Sequence, residues 1–300
     1  TFGEKTHSLM EWTNRLAAYG ECYNLSKEKD YWFNNFRCQA ANGRGGNHST
    51  NAKRKKITFV LSEKATKELL TVANWAYNTQ PLDLILTAIV LAVSKEKNDG
   101  NVLVFLENHD RQKLMPEIDL SRTVGKISYG FPLSISLDEN KEMSYQIKWV
   151  KESLRRVPNR GIGYGFLRYC VDDEATASKL RSIVPDLFLN YLGELSEEIN
   201  TKNMKASILR ADSIAARSFP LELCVGVQEG MMSFDFICLD QQKAKAVKDM
   251  AMRVKENLNR IITYCVEQTE QEFTPSDYGW PQLSLDELTL IEEHVKRMET

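Results

Sequence analysis

Apolar and polar residues along this chain follow helical and strand-like periodicities in turn. Apolar residues three and four positions apart in residues 143–154 predict an amphipathic helix, and the same spacing recurs in residues 247–265. The apolar run at residues 102–106 predicts a strand buried on both faces. Two β-rich runs within residues 219–239, separated by a short polar turn, predict a hairpin. We therefore predict an α/β protein.

The aromatic side chains of residues 1–38 are unusually numerous for a segment of two predicted helices. Ser8 is predicted to cap the first helix and Ser26 the second. Because so short a segment cannot cover them itself, we expect Trp12, Trp32 and Phe36 to pack against a body outside the chain and to favour self-association.

The domain boundaries follow from one polar stretch. Residues 39–52 contain three glycines and show no periodicity, which predicts a linker. We therefore divide the chain into connecting helices and linker (1–51), a main lobe (52–273), and an exit segment with a final helix (274–300).

Less regular patterns fill the rest of the chain. After a short strand at residues 57–60, Ser62 is predicted to cap a helix that continues to about Asn78. Residues 83–95 are apolar nearly all round, which predicts a helix at the centre of the fold. Residues 157–165 are predicted to form a loop.

Composition argues against several classes of protein. The net charge of −2 gives no reason to expect a nucleic-acid or membrane partner, and the one basic run, residues 53–56, suits a solvated strand edge. We expect no membrane span and no signal peptide at Thr1. The six cysteines form no C-x-x-C pair, which predicts reduced thiols in a cytoplasmic protein. The four histidines do not lie at metal-ligand spacing, and so no metal site is predicted.

The main candidate for chemistry follows the apolar run 102–106. Glu107, His109 and Arg111 place a carboxylate, an imidazole and a guanidinium just beyond a predicted buried strand, where α/β sheets commonly hold their sites. A partly desolvated Glu107 is suited to general-base catalysis, with His109 as a proton shuttle or an orienting group. The alternatives are a solvated carboxylate paired with Arg111 and a hydrogen-bonded loop histidine.

Three further features carry weaker signals. Asp119 and Arg122 have the spacing of a turn closed by a salt bridge, a structural role. Tyr191, inside a predicted strand, could donate a proton or a hydrogen bond in a cleft, or could be a core aromatic residue. The glycines at 161, 163 and 165 follow a helix rather than a strand, which disfavours dinucleotide binding and favours close approach of an extended ligand or a neighbouring strand.

Four ordered blocks resemble the epimerization branch of the condensation-domain superfamily in nonribosomal peptide synthetases. Residues 107–112, E-N-H-D-R-Q, resemble E-G-H-G-R-E, and residues 119–133 match the first seven positions of D-L-S-R-T-V-G-W-F-T-S-M-Y-P-V. Residues 158–167 resemble P-N-K-G-V-G-Y-G-I-L, and residues 188–193 resemble F-N-Y-L-G with one insertion. Residues 274–277 resemble the closing segment of the family.

The resemblance implies a chloramphenicol-acetyltransferase-like lobe, with a mixed β-sheet flanked by helices. It implies an amino-acid epimerase that inverts the α-carbon of an aminoacyl or peptidyl thioester from L to D. The substrate would be carried on the 4′-phosphopantetheine of a peptidyl carrier protein, with no cofactor bound directly. The glutamate of the first block, the acid/base in the family, matches Glu107, with His109 and Tyr191 near the same cleft. Substrate-binding roles are implied for Asn190, Arg111, Ser128 and Tyr129.

The chain also departs from this family. The H-H-x-x-x-D-G block, which the family carries upstream, is absent, and so we expect a C-terminal lobe whose N-terminal lobe is a missing partner. Alone it should turn over little or not at all. Asn108 and Asp110 replace two glycines, Gln112 replaces a glutamate and Lys126 replaces a tryptophan. The alternatives are a lobe of an amide-forming condensation domain, which normally lacks the glutamate and P-N-x-G-x-G-Y-G blocks, and a non-catalytic module that docks a carrier protein.

Overall fold

The computed structural model describes residues 5–22, 25–36, 54–109, 117–125, 127–138, 140–170, 173–194, 219–238 and 243–299. The chain divides into two compact units. The first comprises Thr1–Gly46, Phe105–Pro132 and Pro158–Pro185, and the second comprises Asn47–Val104, Leu133–Val157 and Asp186–Thr300.

Helices and strands alternate along the described residues. In chain order they are α1 (Leu9–Cys22), α2 (Ser26–Asn34), β1 (Lys55–Val60), α3 (Glu63–Leu70), α4 (Pro81–Ser94), β2 (Asn101–Asn108), β3 (Tyr129–Ser136), α5 (Met143–Arg155), α6 (Ile162–Tyr169), α7 (Glu174–Arg181), β4 (Leu187–Glu194), β5 (Leu221–Gln228), β6 (Met231–Cys238), α8 (Ala244–Val266) and α9 (Leu285–Glu299).

The strands form one mixed sheet in the order β1-β6-β5-β4-β2-β3. Strands β4 and β5 are parallel, whereas β6 is antiparallel to both β5 and β1. This sheet, flanked by helices, confirms the predicted fold class. The predicted hairpin is also confirmed, since Glu229 and Gly230 both adopt positive φ, 52° and 74°, in the turn between β5 and β6. Strand β1 lies at an edge of the sheet with Lys55 and Lys56 exposed, as expected of the basic run.

Helix α4 lies at the centre of the second unit, as its apolar surface predicts. It packs against α5 and α8, and most of its side chains are buried. Its first turn closes a capping box between Gln80 and Asp83, and Arg155 of α5 binds the Asp83 carboxylate through two hydrogen bonds of 2.9 and 2.7 Å. The buried carboxylate is thus both a helix cap and an ion-pair partner.

The first unit covers its own aromatic side chains. Trp12, Trp32 and Phe36 are 5%, 1% and 8% exposed. Trp12 packs with Ile118 and Leu120, among other apolar residues. The expectation that these aromatics need a body outside the chain is therefore wrong. They provide no exposed surface for self-association, because segments distant in sequence fold back over them.

One predicted helix boundary, the end of α3, is corrected by side-chain hydrogen bonds. Helix α3 ends at Leu70 rather than near Asn78. Thr71 Oγ1 donates to the Lys67 carbonyl at 2.7 Å, and Asn74 Nδ2 donates to the Leu69 carbonyl at 2.7 Å, so that short polar side chains compete with the next helical turn.

At the N-terminus, Ser8 Oγ accepts from the Glu11 N–H at 3.1 Å, as predicted for a cap. The predicted cap at Ser26 is wrong, because Leu25 occupies the N-cap position of α2.

Three further predictions concern the cysteines, membrane-spanning helices and the domain boundaries. Cys238 and Cys265 are buried, reduced thiols as predicted, whereas Cys170 is exposed. Among the described residues, no helix combines the length and the apolar character needed to cross a bilayer. The predicted linker at 39–52 lies outside the described residues, and the boundaries after residues 51 and 273 stay predictions.

Candidate active site

The candidate site lies in the first unit, where the end of β2 meets the residues that open β3. Ser128 Oγ donates a hydrogen bond to Glu107 Oε1 at 2.7 Å, and Asn108 Nδ2 donates to Tyr129 Oη at 2.9 Å. Glu107 is half-buried, with its Oε2 shielded from solvent. The structure thus brings together three residues singled out in the sequence, Glu107, Ser128 and Tyr129. Asn108, noted in the sequence only as a replaced glycine, joins them.

The neighbouring strand positions explain how Glu107 is held. Phe105 and Glu107 are two residues apart on β2 and so project to the same side of the strand. A Cβ added at Gly130 of β3 would lie 2.3 Å from Cε1 of Phe105. Glycine at this position therefore lets the Phe105 ring lie across β3, on the face of β2 that also carries Glu107.

The glycine-containing block after α5 is not the predicted loop. A 3-10 turn, Pro158–Gly161, leads directly into α6. Asn159 and Arg160 have positive φ, 41° and 56°, and Gly161 caps α6 with φ of 89°. The glycines led to the prediction of a loop because glycine destabilises an isolated helix. In the folded chain they instead leave room for side chains that pack against the start of α6.

Two of those glycines are required by close neighbours. A Cβ on Gly161 would lie 2.1 Å from Cδ1 of Phe131, and one on Gly163 would lie 1.8 Å from Oε2 of Glu28. Gly165 has nothing within 4 Å of such a Cβ. The expected approach of a neighbouring strand is confirmed at Phe131 of β3.

Tyr164 of α6 connects this block to the site. Its ring meets that of Phe105 edge-on at 6.2 Å and that of Trp32 at 5.3 Å. Its hydroxyl donates to the Leu180 carbonyl at 3.0 Å and accepts from Arg168 Nη1 at 3.0 Å. Burial raises the pKa of Tyr164, and the Arg168 charge opposes that rise. The phenol is therefore neutral at physiological pH and serves as a packing and hydrogen-bonding group.

The Asp119 turn is held by several hydrogen bonds. Asp119 Oδ1 accepts from the Ser121 N–H at 2.9 Å, and the Asp119 N–H donates to His7 Nδ1 at 3.0 Å. Hydrogen bonds from Ser121 lower the pKa of Asp119 most, and the charges of His7 and Arg122 lower it further. The structural role of Asp119 and Arg122 stays a prediction.

His109 and Arg111 are two further residues that the sequence predicts for the site. His109 is exposed just beyond β2, while Arg111, like Asp110, Gln112 and Lys126, lies outside the described residues. The roles of His109 and Arg111 stay predictions.

Asn190 and Tyr191 lie on β4, in the second unit, opposite Cys224 and Val225 of β5. Burial raises the pKa of Tyr191, and the negative charge of Glu194 adds to the rise. The register shifts between Tyr191 and Glu194, where Gly193 adopts φ of 66°. The residue inserted into the F-N-Y-L-G block, Leu189, keeps its regular pairing with Leu223, and the irregular stretch begins only after Tyr191. A catalytic role for Tyr191 stays a prediction.

Sequence reasoning missed Glu28 of α2. This carboxylate is 2% exposed and accepts hydrogen bonds from Trp32 Nε1 at 3.1 Å and Asn159 Nδ2 at 2.8 Å. The available signal was its position four residues before Trp32, on the aromatic face of a predicted helix.

Comparison with known proteins shows which protein family the chain belongs to. The family model described as "Condensation domain" matches residues 3–283. The chain therefore belongs to the condensation-domain family.

Relatives include large peptide synthetases. Bacitracin synthase 2 from Bacillus licheniformis is 33% identical over 295 residues, covering 95% of this chain and 11% of that protein. Bacitracin synthase 3 from the same organism is 36% identical over 309 residues, covering 99% of this chain and 5% of that protein. The chain thus spans only a small part of the length of these curated relatives.

Solved structures of domains with different activities share the fold. The epimerization domain from the third module of tyrocidine synthetase B aligns with a TM-score of 0.74 and 27% identity, covering 89% of this chain and 61% of that one. A condensation domain concerned with chain release from the enacyloxin polyketide synthase aligns with a TM-score of 0.62 at 12% identity, over 90% of this chain and 54% of that one. The second likeness shows the fold alone.

Proposed function

We propose that this chain is the C-terminal lobe of an epimerization domain of a nonribosomal peptide synthetase. Its Glu107 would move the Cα proton of an aminoacyl or peptidyl thioester carried by a peptidyl carrier protein. The observation that carries this proposal is the half-buried Glu107 carboxylate, fixed by Ser128 Oγ at 2.7 Å at the end of a buried strand. A carboxylate held in one orientation and partly desolvated is suited to proton transfer.

The chemistry explains why such a group is needed. The α-proton of a thioester is only weakly acidic, and so its removal needs a positioned base and stabilisation of the enolate oxygen. Glu107 takes the proton as the Cα–H bond breaks, and the electron pair moves to the thioester oxygen. Return of a proton to the opposite face inverts the centre. The group on that face would belong to the N-terminal lobe that we propose as partner.

The other site residues have subsidiary roles in this proposal. His109 and Tyr191 are further candidates for proton transfer or enolate stabilisation. Ser128 orients the base, while Tyr129, Asn190 and Arg111 contact the substrate or its 4′-phosphopantetheine arm. The 27% identity to an epimerization domain, together with the ordered sequence blocks, supports epimerization over its alternatives.

The test uses the polypeptide that carries this chain together with its neighbouring segments, loaded with an L-aminoacyl carrier protein in D₂O. Mass spectrometry follows deuterium uptake at Cα. We expect uptake in the wild type and a loss of roughly 10³-fold in Glu107→Gln, with carrier loading unchanged. Glu117→Gln, an exposed carboxylate of the same unit, is the matched control and should behave like the wild type.

The same preparation separates the alternatives. Amide formation between loaded donor and acceptor carriers, without Cα exchange, would indicate a condensation domain. Carrier binding without either reaction would indicate a docking module. Either result contradicts the proposed epimerase.

A further inference from the structure

A second carboxylate of the first unit has no part in the proton transfer proposed above. Glu28 lies on α2 and is 2% exposed. Burying a carboxylate is costly unless it is well hydrogen-bonded, and here an indole N–H and an amide N–H each bind one oxygen, at 3.1 and 2.8 Å. Its partners are Trp32 on its own helix and Asn159 in the turn before α6.

The Glu28 carboxylate also contacts the first turn of α6. A Cβ at Gly163 would lie 1.8 Å from Oε2, and so the carboxylate occupies the space that any other side chain would need. The N-terminal end of a helix carries partial positive charge, which favours an anion there. Asn159, which Glu28 binds, has a left-handed φ of 41°. One side chain therefore holds both the strained turn and the start of the helix.

From α6 the packing continues to β2, the strand that carries the base. Tyr164 follows Gly163, and its ring meets Phe105 at 6.2 Å. Phe105 is two residues before Glu107 and lies over Gly130 of β3. At the other end of the block, Gly161 lies against Phe131. The placement of α6 thus sets the Phe105 ring near the end of β2, which carries Glu107. It also sets the Phe131 ring near the start of β3, which follows Ser128.

We infer that Glu28 is a positioning residue for Glu107, acting through the start of α6, Tyr164 and Phe105. This inference rests on the proposed function, because it concerns the orientation of the same base.

Glu28→Gln tests the inference by Cα exchange in the same carrier-loaded polypeptide. Glutamine keeps the shape but loses the charge and presents an N–H toward Trp32 Nε1 or Asn159 Nδ2, which are both donors. We expect kcat to fall roughly 10- to 100-fold, because a small misplacement of the base is costly, while KM for the loaded carrier changes less than about twofold. Lys29→Met, next on α2, loses the exposed ion pair with Asp173 and the cation–π contact with Phe33 but leaves Glu28 in place, and it should keep wild-type kcat.

Glycine variants of α6 test the contact between Glu28 and α6 from the α6 side. Gly163→Ala should reproduce the loss seen in Glu28→Gln, whereas Gly165→Ala adds its Cβ in open space and should not. Because the Glu28→Ala change removes the clash, the double variant Glu28→Ala with Gly163→Ala should be no slower than Glu28→Ala alone. Additive losses would contradict a direct contact.

Amide hydrogen exchange gives a readout that needs no turnover. Peptides covering residues 104–109 and 158–169 should exchange at least several-fold faster in Glu28→Gln than in Lys29→Met or the wild type. Unchanged exchange in both peptides overturns the inference, as does a kcat equal to that of Lys29→Met. If the wild type itself shows no Cα exchange, the proposed function fails, and the peptides alone decide whether Glu28 orders the strand end.

Discussion

At the scale of single residues, two carboxylates of one unit differ through their neighbours. Glu107 is half-buried, with one oxygen bound by a hydroxyl group, and the proposed function assigns it proton transfer with the substrate. Glu28 is enclosed between an indole and an amide, and its surroundings leave no path for a substrate. The same functional group thus serves as a candidate base in one place and as a structural anion in the other.

The hydrogen bond from Ser128 orients the proposed base, and the hydrogen bond of Ser134, on β3, provides the control. In Ser128→Ala we expect Cα exchange to fall roughly 10-fold, because the carboxylate loses its orientation, with a stability loss of about 1 kcal/mol. Ser134→Ala, which removes a 2.8 Å hydrogen bond to Asn101, should cost similar stability without affecting exchange. Equal exchange rates in the two variants would argue against an orienting role.

At the scale of elements, the exit segment is bound to α5 by buried charges. Lys151, 1% exposed, donates to Asp277 Oδ2 at 2.5 Å and to the Tyr77 carbonyl at 2.9 Å. Glu152 accepts from Ser276 Oγ at 2.6 Å. Burial by itself raises the pKa of Asp277, but hydrogen bonds from Lys151 and Thr274 outweigh it and leave that pKa below its ordinary value.

Replacing Asp277 with Asn should destabilise the chain in a pH-dependent way. At pH 7 the loss should be about 3 kcal/mol, because Lys151 is left buried without its counter-charge. A lowered folded-state pKa stabilises the protein above the unfolded pKa of about 4 and loses that contribution as pH falls through the folded value.

The difference between Asp277→Asn and the wild type should therefore shrink below about pH 4. Urea unfolding at pH 7 and pH 3 measures it. Glu68→Gln, which removes a surface pair with Lys64 at 3.7 Å, should stay within about 0.5 kcal/mol of wild type. A pH-independent difference would show that the charge of Asp277 is not the cause.

At the scale of the whole molecule, burial determines which side chains can be reached before the chain unfolds. The condensation-domain match covers residues 3–283, which takes in most of both units. Each described unit encloses its own apolar residues, Trp32 in the first and Leu84 in the second among them. The reactivity of exposed and buried thiols can therefore be used to follow unfolding of the chain.

Thiol labelling should separate surface from core. Exposed Cys170 should react with iodoacetamide at neutral pH within minutes, whereas buried Cys238 and Cys265 should react only as the chain unfolds. Burial raises the pKa of Cys265 to about 12, which further suppresses its thiolate. Mass-spectrometric mapping with and without urea measures the rates. Rapid labelling of native Cys265 would contradict the burial described above.

Patterns within short stretches of the sequence were sufficient to predict the local order of the molecule. Periodicity predicted α5, α8 and the β5–β6 hairpin, because a helix or hairpin is specified by residues close together in the chain. The ordered blocks also pointed to the family and to Glu107, since each block is a contiguous run of residues.

The contacts that those residues make became visible only in the folded chain. The tertiary structure showed that the glycine block begins a helix, because Phe131 and Glu28, distant in sequence, occupy the space at Gly161 and Gly163. It also covered the aromatic residues of α1 and α2 with the chain's own segments. Such contacts join residues from about 30 to more than a hundred positions apart, and periodicity within a short window carries no information about them.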